Sequence, residues 1–280
     1  MSIAGVTREL LVRYLDLWVP GAVHSPHGAT FLHASAGELD GDVAEAALRA
    51  CAEFGDRLQR RRLTLLYVAP DVTGLQARLD AVQRELRTPA ELALHVMSGP
   101  VPVLLKALGA HSGPLLSMID GIDPAHVATG RPAEVITVDV PRERLGGFDL
   151  TAHVTLVEGE RERTIGFGTR SAKSLEAFKN EMWALDEYAG VRYRDPNDPE
   201  GHLMDITLQP NPGALRRELL AVLRTGGRTV TELKRFALTE TVYRAADAVK
   251  VVTALLQSGA VTREPEDGRL GGDVTIRIAG

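Results

Sequence analysis

The stretch Ala29–Phe54 constrains the fold more than any other part of the sequence. It begins with strand-forming residues, continues through the small residues of Ala34–Gly37, and ends in apolar residues at helical spacing. Because a strand, a turn of small residues and a helix open a doubly wound α/β domain, this pattern predicts such a domain. A ligand of such a domain lies beyond the carboxyl end of the first strand. We therefore expect a binding site around Ser35, Ala36 and Gly37.

The rest of the first 190 residues alternates strand patterns with helical patterns. A parallel series of strands closed by a late hairpin predicts the α/β, Rossmann-like sheet of a class I methyltransferase, with about seven strands; a plain Rossmann dehydrogenase is the neighbouring possibility. The first helix is predicted over Val6–Val19, and Pro20 with Gly21 ends it. The further strands are predicted at Leu63–Ala69, Leu92–Met97, Leu115–Ile119 and Val135–Val140, followed by the hairpin Thr151–Val157 and Arg163–Phe167.

Acidic residues follow two of the predicted strands. Asp71 comes after the second strand, where nucleotide-binding α/β domains hold ribose hydroxyls, although a helix cap explains it equally well. Asp120 and Asp123 follow the fourth strand, where a carboxylate can accept a proton or orient an amine or hydroxyl. The alternative for Asp123 is the cap of a short helix that begins at Pro124. The sequence therefore predicts a pocket beside Gly37, with Asp120 and Asp123 as candidate catalytic residues.

Neither the cysteine nor the histidines predict a metal centre. Cys51 is the single cysteine, so the chain has no internal disulfide, and its helical position predicts a core residue. His24, His27 and His33 have an H-x2-H-x5-H spacing that matches no ligand pattern we can name, so we expect surface or substrate-lining histidines and no metal. The basic run Arg57–Arg62 predicts the solvated end of a helix in preference to a phosphate site.

The last third of the chain differs in composition. Residues 191–211 are rich in Asp, Pro, Asn and Gly and predict a linker between a domain of residues 1–190 and one of residues 212–280. Three helical patterns and two short strands predict a winged helix-turn-helix in the second domain. We place Tyr243, Arg244 and Lys250 on the outer face of its third helix, as nucleic-acid or partner contacts.

Charge favours a protein partner for this C-terminal domain. The whole chain has a net charge of −5, while residues 214–280 carry more basic than acidic side chains. Acidic residues in and near the predicted wing would nevertheless repel phosphates. We therefore expect contact with a partner protein, or homo-oligomerisation, before DNA binding. No long apolar run and no signal-peptide pattern are present, so a cytoplasmic protein without membrane segments is expected.

Several motifs resemble the three-Cys-motif partner proteins. They are Y-L-D-L-W at Tyr14–Trp18, F-L-H-A-S-A-G at Phe31–Gly37 and, most specifically, I-G-F-G-T-R-S-A-K-S-L-E-A-F-K-N-E-M-W at Ile165–Trp183. The segment Val230–Thr241 is similar as well. The resemblance implies a class I S-adenosylmethionine-dependent methyltransferase with a C-terminal winged helix. It also implies a partner protein with a cysteine-rich, iron–sulfur site.

The sequence departs from the family at two turns. Members resemble D-G-F-A-G-P-G at the first turn, but this chain has H-A-S-A-G-E-L, which retains only Gly37 and places Glu38 and Leu39 where Pro and Gly are usual. Each missing glycine adds a Cβ atom where the cofactor would approach, and Glu38 repels a carboxylate. After the fourth strand the family pattern D-P-F-G is replaced by D-G-I-D-P at Asp120–Pro124.

Two functional hypotheses follow. The first is an S-adenosylmethionine-dependent methyltransferase acting on a small molecule or a nucleic-acid component, and it ranks slightly ahead because acidic and glycine residues end successive strands. Its cofactor-binding residues are Ser35, Ala36, Gly37, Asp71 and Asp120. The alternative is a methyltransferase-like scaffold that has lost or altered cofactor use and acts through its winged helix as a partner-binding or DNA-binding protein.

Overall fold

A computed structural model of the chain describes residues 2–58, 61–185, 190–198 and 200–279. A nine-stranded mixed sheet flanked by helices forms the larger part, and three helices with a three-stranded sheet form the smaller part. Within those ranges no helix is both long enough and apolar enough to cross a membrane.

Five parallel strands form one half of the large sheet, in the order β3-β2-β1-β4-β5. The inner four are buried almost throughout, as expected of parallel strands covered by helices on both faces. Their positions confirm the predicted series. The strands are β1 (Ala29–Ser35), β2 (Leu63–Val68), β3 (Leu92–Met97), β4 (Leu115–Asp120) and β5 (Ala133–Val138).

Antiparallel strands complete the sheet. The hairpin of β6 (Leu150–Glu158) and β7 (Arg161–Thr169) inserts β7 beside β5, so that β6 lies outside it. Two short strands, β8 (Arg192–Arg194) and β9 (Leu203–Asp205), then extend the sheet beyond β6. The architecture is consistent with a Rossmann-like methyltransferase fold.

The sheet has nine strands rather than about seven, because residues 191–211 are more than a linker. Their turn-forming composition hid two strands that are too short to show a hydrophobic period. Tyr193 is fully buried, and its hydroxyl donates a hydrogen bond to the carbonyl oxygen of Met182 at 2.6 Å. This anchored side chain adds to the backbone pairing of β8 with β6.

Helices cover the sheet in two layers. The larger core lies beneath α1 (Ile3–Ala22), α2 (Gly41–Ala52), α4 (Leu75–Leu86) and α6 (Ala172–Trp183). The smaller core lies on the opposite face beneath α5 (Val101–Ala107). A short helix, α3 (Gly55–Leu58), follows α2. Cys51 is fully buried in the larger core, which confirms the prediction from its helical position.

The first helix is longer than predicted. It runs through Pro20 to Ala22, although a proline removes one backbone donor and usually ends a helix. Val19 and Ala22 are buried, and the amide of Val23 still donates to the carbonyl oxygen of Val19 at 3.0 Å. Packing of the last turn therefore outweighs the effect of the proline.

The smaller part follows β9 in the order α7 (Gly213–Arg224), β10 (Arg228–Thr229), α8 (Val230–Glu240), α9 (Ala245–Gln257), β11 (Val261–Glu264) and β12 (Thr275–Ile278). Its antiparallel sheet has the strand order β10-β12-β11. Thr229 begins α8 with a reciprocal cap, in which Thr229 and Glu232 each accept a hydrogen bond from the other's backbone amide.

Two side chains of α6 join the two parts of the molecule. Lys179 is fully buried, and its Nζ donates to three backbone carbonyl oxygens, those of Ala237, Thr241 and Tyr243. Trp183 donates from Nε1 to the carbonyl oxygen of Val242 at 3.1 Å. These carbonyls lie at the end of α8, where a helix leaves acceptors without partners. The motif Ile165–Trp183 therefore ends in this contact.

Candidate functional site

A cleft lies where the strand order reverses, between β1 and β4. In open α/β sheets a ligand binds beyond the carboxyl ends of the strands at such a point. The cleft is enclosed by the ends of β1, β4 and β5 and by α1, and its volume is about 270 Å³. Small-molecule sites usually measure about 300–1,000 Å³, so this cleft is small for a nucleoside ligand.

Strands and turns bring six polar side chains to this switch-point cleft. Ser35 and Asp120 are neighbours in the register of β1 and β4, and His33 precedes Ser35 on the same face of β1. Glu38 and Asp40 come from the turn after β1, and Arg163 reaches the cleft from β7. The structure therefore brings together Ser35 and Asp120 of the predicted site.

The cleft favours cations over anions. It is lined by three carboxyl groups, those of Glu38, Asp40 and Asp120, and by the single guanidinium group of Arg163. Arg163 is already paired with Asp139, with 3.2 Å between Nε and Oδ2. Burial raises the pKa of Asp120 above its usual value, and the nearby Arg163 opposes that shift. A carboxyl group with a raised pKa, lying at a strand end within the cleft, is a candidate for proton exchange with a ligand.

His33 is a buried, neutral histidine. Its side chain is almost fully buried, Nδ1 has no hydrogen-bond partner within the described chain, and burial lowers the pKa to about 4. His24 and His27 are exposed and lie before β1, at the other end of the strand. The three histidines therefore do not come together, because the strand separates them.

One other group of side chains could hold a metal ion by distance alone. Ligand atoms of Asp198, Glu200 and His202 lie within 4.8 Å of one another. Glu200 and His202 are exposed, and His202 already contacts Asp198, with 2.8 Å between Nδ1 and Oδ2. The cluster is an exposed turn held by its own hydrogen bonds.

The small residues of the turn after β1 allow it to contact the turn after β4. The amide of Ala36 donates to the carbonyl oxygen of Asp120 at 2.9 Å, which continues the β1–β4 ladder past the end of β1. The amide of Gly37 donates to Oγ of Ser35 at 3.1 Å. Gly121 has a φ of 67°, and a Cβ atom on it would lie 2.9 Å from Cβ of Ala36.

The amino end of α2 is also occupied by the protein. A free helix amino end is a ready anion site, because its amides and dipole attract negative charge. Here Oδ1 of Asp40 accepts from the amides of Asp42 at 2.9 Å and Val43 at 3.2 Å. Leu39, which stands at a usual glycine position, is buried in the core below.

Two predicted carboxylates lie outside the cleft. Asp71 is exposed, and its Oδ1 accepts from the amide of Thr73 at 2.8 Å, which closes its own turn. Asp123 caps the short 3₁₀ helix Pro124–His126 through the amide of Ala125 at 3.0 Å. The contact of Asp123 matches its capping alternative, whereas Asp71 closes a turn ahead of α4, whose N-cap is Gly74. The proposed roles in cofactor binding and catalysis therefore have no support from position.

Sequence reasoning missed three of the cleft residues. Glu38 and Asp40 lie in the turn after β1. The only sequence signal for either was that Glu38 departs from the pattern of the family that the chain resembles. Arg163 lies far along the chain and reaches the cleft because β7 pairs with β5. Such a non-local pairing leaves no local sequence signal.

The residues present do not fit S-adenosylmethionine in the way that the resemblance implies. Its carboxylate needs backbone donors near the first turn, but four such amides already bond to the protein's own oxygens, and two carboxylates stand beside them. Its ribose diol needs an acid at the end of β2, but Asp71 is bonded within its turn. The acidic side chains of the switch-point cleft are suited only to the two cationic groups of S-adenosylmethionine, its ammonium and its sulfonium.

The basic run of the first domain is divided among local contacts. Arg57 lies over the ring of Phe54, with 5.4 Å between Cζ and the ring centroid, and Arg61 donates to the carbonyl oxygen of Val23. Arg60 lies outside the described residues. The described arginines of this run are therefore in contact with solvent or bonded to nearby groups of the protein.

The prediction that Tyr243 and Arg244 lie on an outer face is wrong. Helix α9 begins at Ala245, so both residues precede it. Tyr243 is 1% exposed, and Arg244 is bonded to Asp247, with 2.8 Å between Nε and Oδ2. Lys250 is exposed as predicted. The error arose because the helix pattern was extended back to Thr241, which rotated both side chains outward.

Two basic residues of the hairpin, Arg263 and Arg277, are likewise engaged, while Arg269 between the strands is exposed. Arg263 donates to backbone carbonyl oxygens within its own loop, among them those of Pro265 at 2.9 Å and Gly268 at 3.0 Å. Arg277 lies 3.6 Å from the carboxylate of Glu264. Neither is a free phosphate ligand in this conformation.

Comparison with known proteins yields only distant similarity. No model of a known protein family matches the chain, and no curated protein matches its sequence. Among solved structures, spermidine synthase from Thermotoga maritima is similar at 12% identity and a TM-score of 0.36, over 62% of this chain and 64% of that one. The chain thus spans less than two thirds of that enzyme.

A candidate methylase from Haemophilus influenzae is similar at 12% identity and a TM-score of 0.34, over 58% of this chain and 99% of that one. At these values neither structure bears on activity. The strand order and register described above define the fold, and membership of the three-Cys-motif partner family stays a prediction.

Proposed function

We propose that this protein is a methyltransferase-like scaffold that does not use S-adenosylmethionine as class I enzymes do, and that it acts as a partner-binding protein through a C-terminal winged helix. The observation that carries the proposal is the occupation of the first turn. The amides of Ala36, Gly37, Asp42 and Val43 all donate to oxygens of the protein itself. A cofactor carboxylate finds neither free donors nor a favourable charge there.

The order of elements supports a winged helix in the C-terminal part. Three helices, a short strand before the second of them, and a closing hairpin occur in the order α7, β10, α8, α9, β11 and β12. The exposed stripe of α9 consists of Ala246, Lys250, Thr253 and Gln257, with one charge among small and polar side chains. The hairpin exposes Glu264, Glu266 and Asp267. This surface suits a protein better than a phosphate backbone.

Calorimetric titration of the purified chain with S-adenosylmethionine and S-adenosylhomocysteine tests the first half of the proposal. We expect no heat of binding and no thermal shift at millimolar ligand. Binding at micromolar concentration would overturn the proposal.

A charge-neutral variant sharpens that test. Glu38→Gln combined with Asp40→Asn removes two charges from the cleft while keeping a capping oxygen on residue 40. If charge excludes the carboxylate, S-adenosylhomocysteine should bind this variant at least about tenfold more tightly than the parent, or 1.4 kcal/mol, so that binding becomes detectable at millimolar ligand. Glu53→Gln combined with Asp56→Asn makes the same charge change on exposed residues and should leave the affinity unaltered. Equal affinity in all three proteins would contradict the electrostatic argument.

Site-specific photo-crosslinking tests the second half. A photoreactive residue in place of Thr253, on the exposed stripe of α9, should crosslink to a protein in cells that express the chain. The same residue in place of the exposed Gln76 on α4 should not give that product. A crosslink to nucleic acid from position 253, or a shift of duplex DNA at low salt, would overturn the choice of a protein partner. A cysteine-rich partner is the expected identity.

A methyltransferase acting on a small molecule or a nucleic-acid component is the second candidate. It is favoured by Asp120, which lines the switch-point cleft with a raised pKa. The titration above separates the candidates: cofactor binding that is lost in Asp120→Asn would support the enzyme.

A further inference from the structure

A second, larger cleft lies at the opposite edge of the large sheet. It is bounded by Pro114 and Pro132, which precede β4 and β5, and by one side of α1 and the first turns of α6. Its volume is about 450 Å³, against about 270 Å³ for the switch-point cleft. This amino-edge cleft is therefore within the usual size range of small-molecule sites.

The amino-edge cleft contains a buried carboxylate. Glu134, the second residue of β5, is 3% exposed and lines the cleft. Its Oε2 accepts a hydrogen bond from the hydroxyl of Tyr14 at 2.7 Å. No ion pair involving Glu134 occurs within the described residues. A buried charge that has one neutral donor is costly unless a cation balances it.

The opposite pole of the cleft is positive. Lys173 and Ser174 line it from the first turn of α6. Lys173 is exposed and cationic, whereas the amide of Ser174 already donates to Oγ of Ser171 at 3.2 Å, so the positive charge of this wall is that of Lys173. An anionic group is therefore favoured on the Lys173 side of the same cleft.

The remaining walls are apolar. They comprise Leu17, Trp18 and Ala22 on α1, the two prolines, and Ala177 on α6. Leu17 is 49% exposed and lies beside Trp18 at this wall. A ligand body that covers these residues would remove apolar surface from water.

We propose that the amino-edge cleft binds a small zwitterion with an apolar body, such as an α-amino acid with an aliphatic or aromatic side chain. Its ammonium group pairs with Glu134, its carboxylate pairs with Lys173, and its side chain packs on Trp18 and Leu17. A simple cation is disfavoured because Lys173 repels it, and a simple anion is disfavoured by Glu134. The site is separate from the switch-point cleft and does not depend on the function proposed for it.

Three matched ligands test the proposal by calorimetry on the full chain. They are L-phenylalanine, N-acetyl-L-phenylalanine, which lacks the ammonium group, and phenethylamine, which lacks the carboxylate. We expect L-phenylalanine to bind, and we expect each of the other two to bind at least about tenfold more weakly, because each loses a charge-assisted contact.

Two variants test whether Glu134 binds the ammonium group and Lys173 binds the carboxylate. Glu134→Gln keeps an acceptor for Tyr14 and removes the charge, so it should lose at least about tenfold in affinity for L-phenylalanine while its circular dichroism spectrum is retained. Lys173→Met should weaken L-phenylalanine binding but leave phenethylamine binding equal or stronger. Glu176→Gln, a charge change on the same helix outside the cleft, is the matched control.

Three results would overturn the proposal. The first is absence of binding of L-phenylalanine, L-leucine and L-tryptophan at 10 mM (roughly 2.7 kcal/mol of affinity by the usual conversion). The second is equal binding of the acetylated compound. The third is unchanged affinity in Glu134→Gln, which would mean that Lys173 itself neutralises the carboxylate.

Discussion

His33 illustrates how a single buried side chain sets a response to acid. Its pKa is lowered to about 4 by burial, whereas an unfolded histidine titrates near about 6.5. Between these two pKa values His33 is protonated in the unfolded chain and neutral in the folded chain. The stabilising effect is therefore complete above about pH 6.5 and is lost as the pH falls towards 4.

Replacement of His33 by Leu should flatten this response. From the two pKa values, His33 accounts for about 2 kcal/mol of lost unfolding free energy between pH 7.5 and 5. Urea denaturation at both pH values measures it, with the exposed His27→Asn as the control. The interpretation fails if His33→Leu keeps the full pH dependence of the parent. His153, whose pKa is also lowered to about 4, contributes equally to the pH dependence of the unfolding free energy in the parent and in His33→Leu.

At the scale of elements, the contact between the turns after β1 and β4 should be sensitive to one methyl group. Gly121 combines a φ of 67° with a Cβ position 2.9 Å from Ala36, so Gly121→Ala adds steric conflict to backbone strain. Gly109 has a φ of 68° and nothing within 4 Å of its Cβ position.

Gly109→Ala therefore isolates the strain. Both variants should lose about 1 kcal/mol from the left-handed conformation, and Gly121→Ala should lose about 1–2 kcal/mol more. Unfolding free energies from urea titration give the difference. Equal losses would show that the two turns are not held in contact in solution.

The elements also show what sequence patterns can and cannot predict. The seven longer strands were predictable because each contains a run of strand-forming residues with flanking turn signals. The strands β8 and β9 were not, since three residues cannot display a period. In the site, Asp120 was predictable from its place at a strand end, whereas Arg163 depends on the non-local pairing of β7 with β5.

At the scale of the whole molecule, the joint between its two parts should depend on Lys179. Replacement by Met preserves length and removes the donor of the carbonyl oxygens of Thr241 and Tyr243, while that of Ala237 keeps the hydroxyl of Thr241 at 2.8 Å. We expect a loss of about 3–5 kcal/mol, because each unpaired group costs about 1–3 kcal/mol and local rearrangement recovers part of it. Denaturation followed by tryptophan fluorescence should then separate into two transitions.

The exposed Lys234 on α8 provides the control for this experiment, and Lys234→Met should unfold like the parent protein. Trp183, which bonds to Val242, reports directly on the joint. A single cooperative transition with unchanged midpoint in Lys179→Met would mean that the two parts are held together by other contacts.

Helix α6 touches three regions of the molecule within 12 residues. Its first turn carries Lys173 and Ser174, its middle packs on the sheet, and its later turns carry Lys179 and Trp183. At about 1.5 Å per residue the helix is a stiff rod roughly 18 Å long. If a ligand of the amino-edge cleft tilts the start of α6, we expect the carbonyl groups bonded to its later turns to shift with it, which would couple that cleft to the C-terminal part of the molecule through one rigid helix.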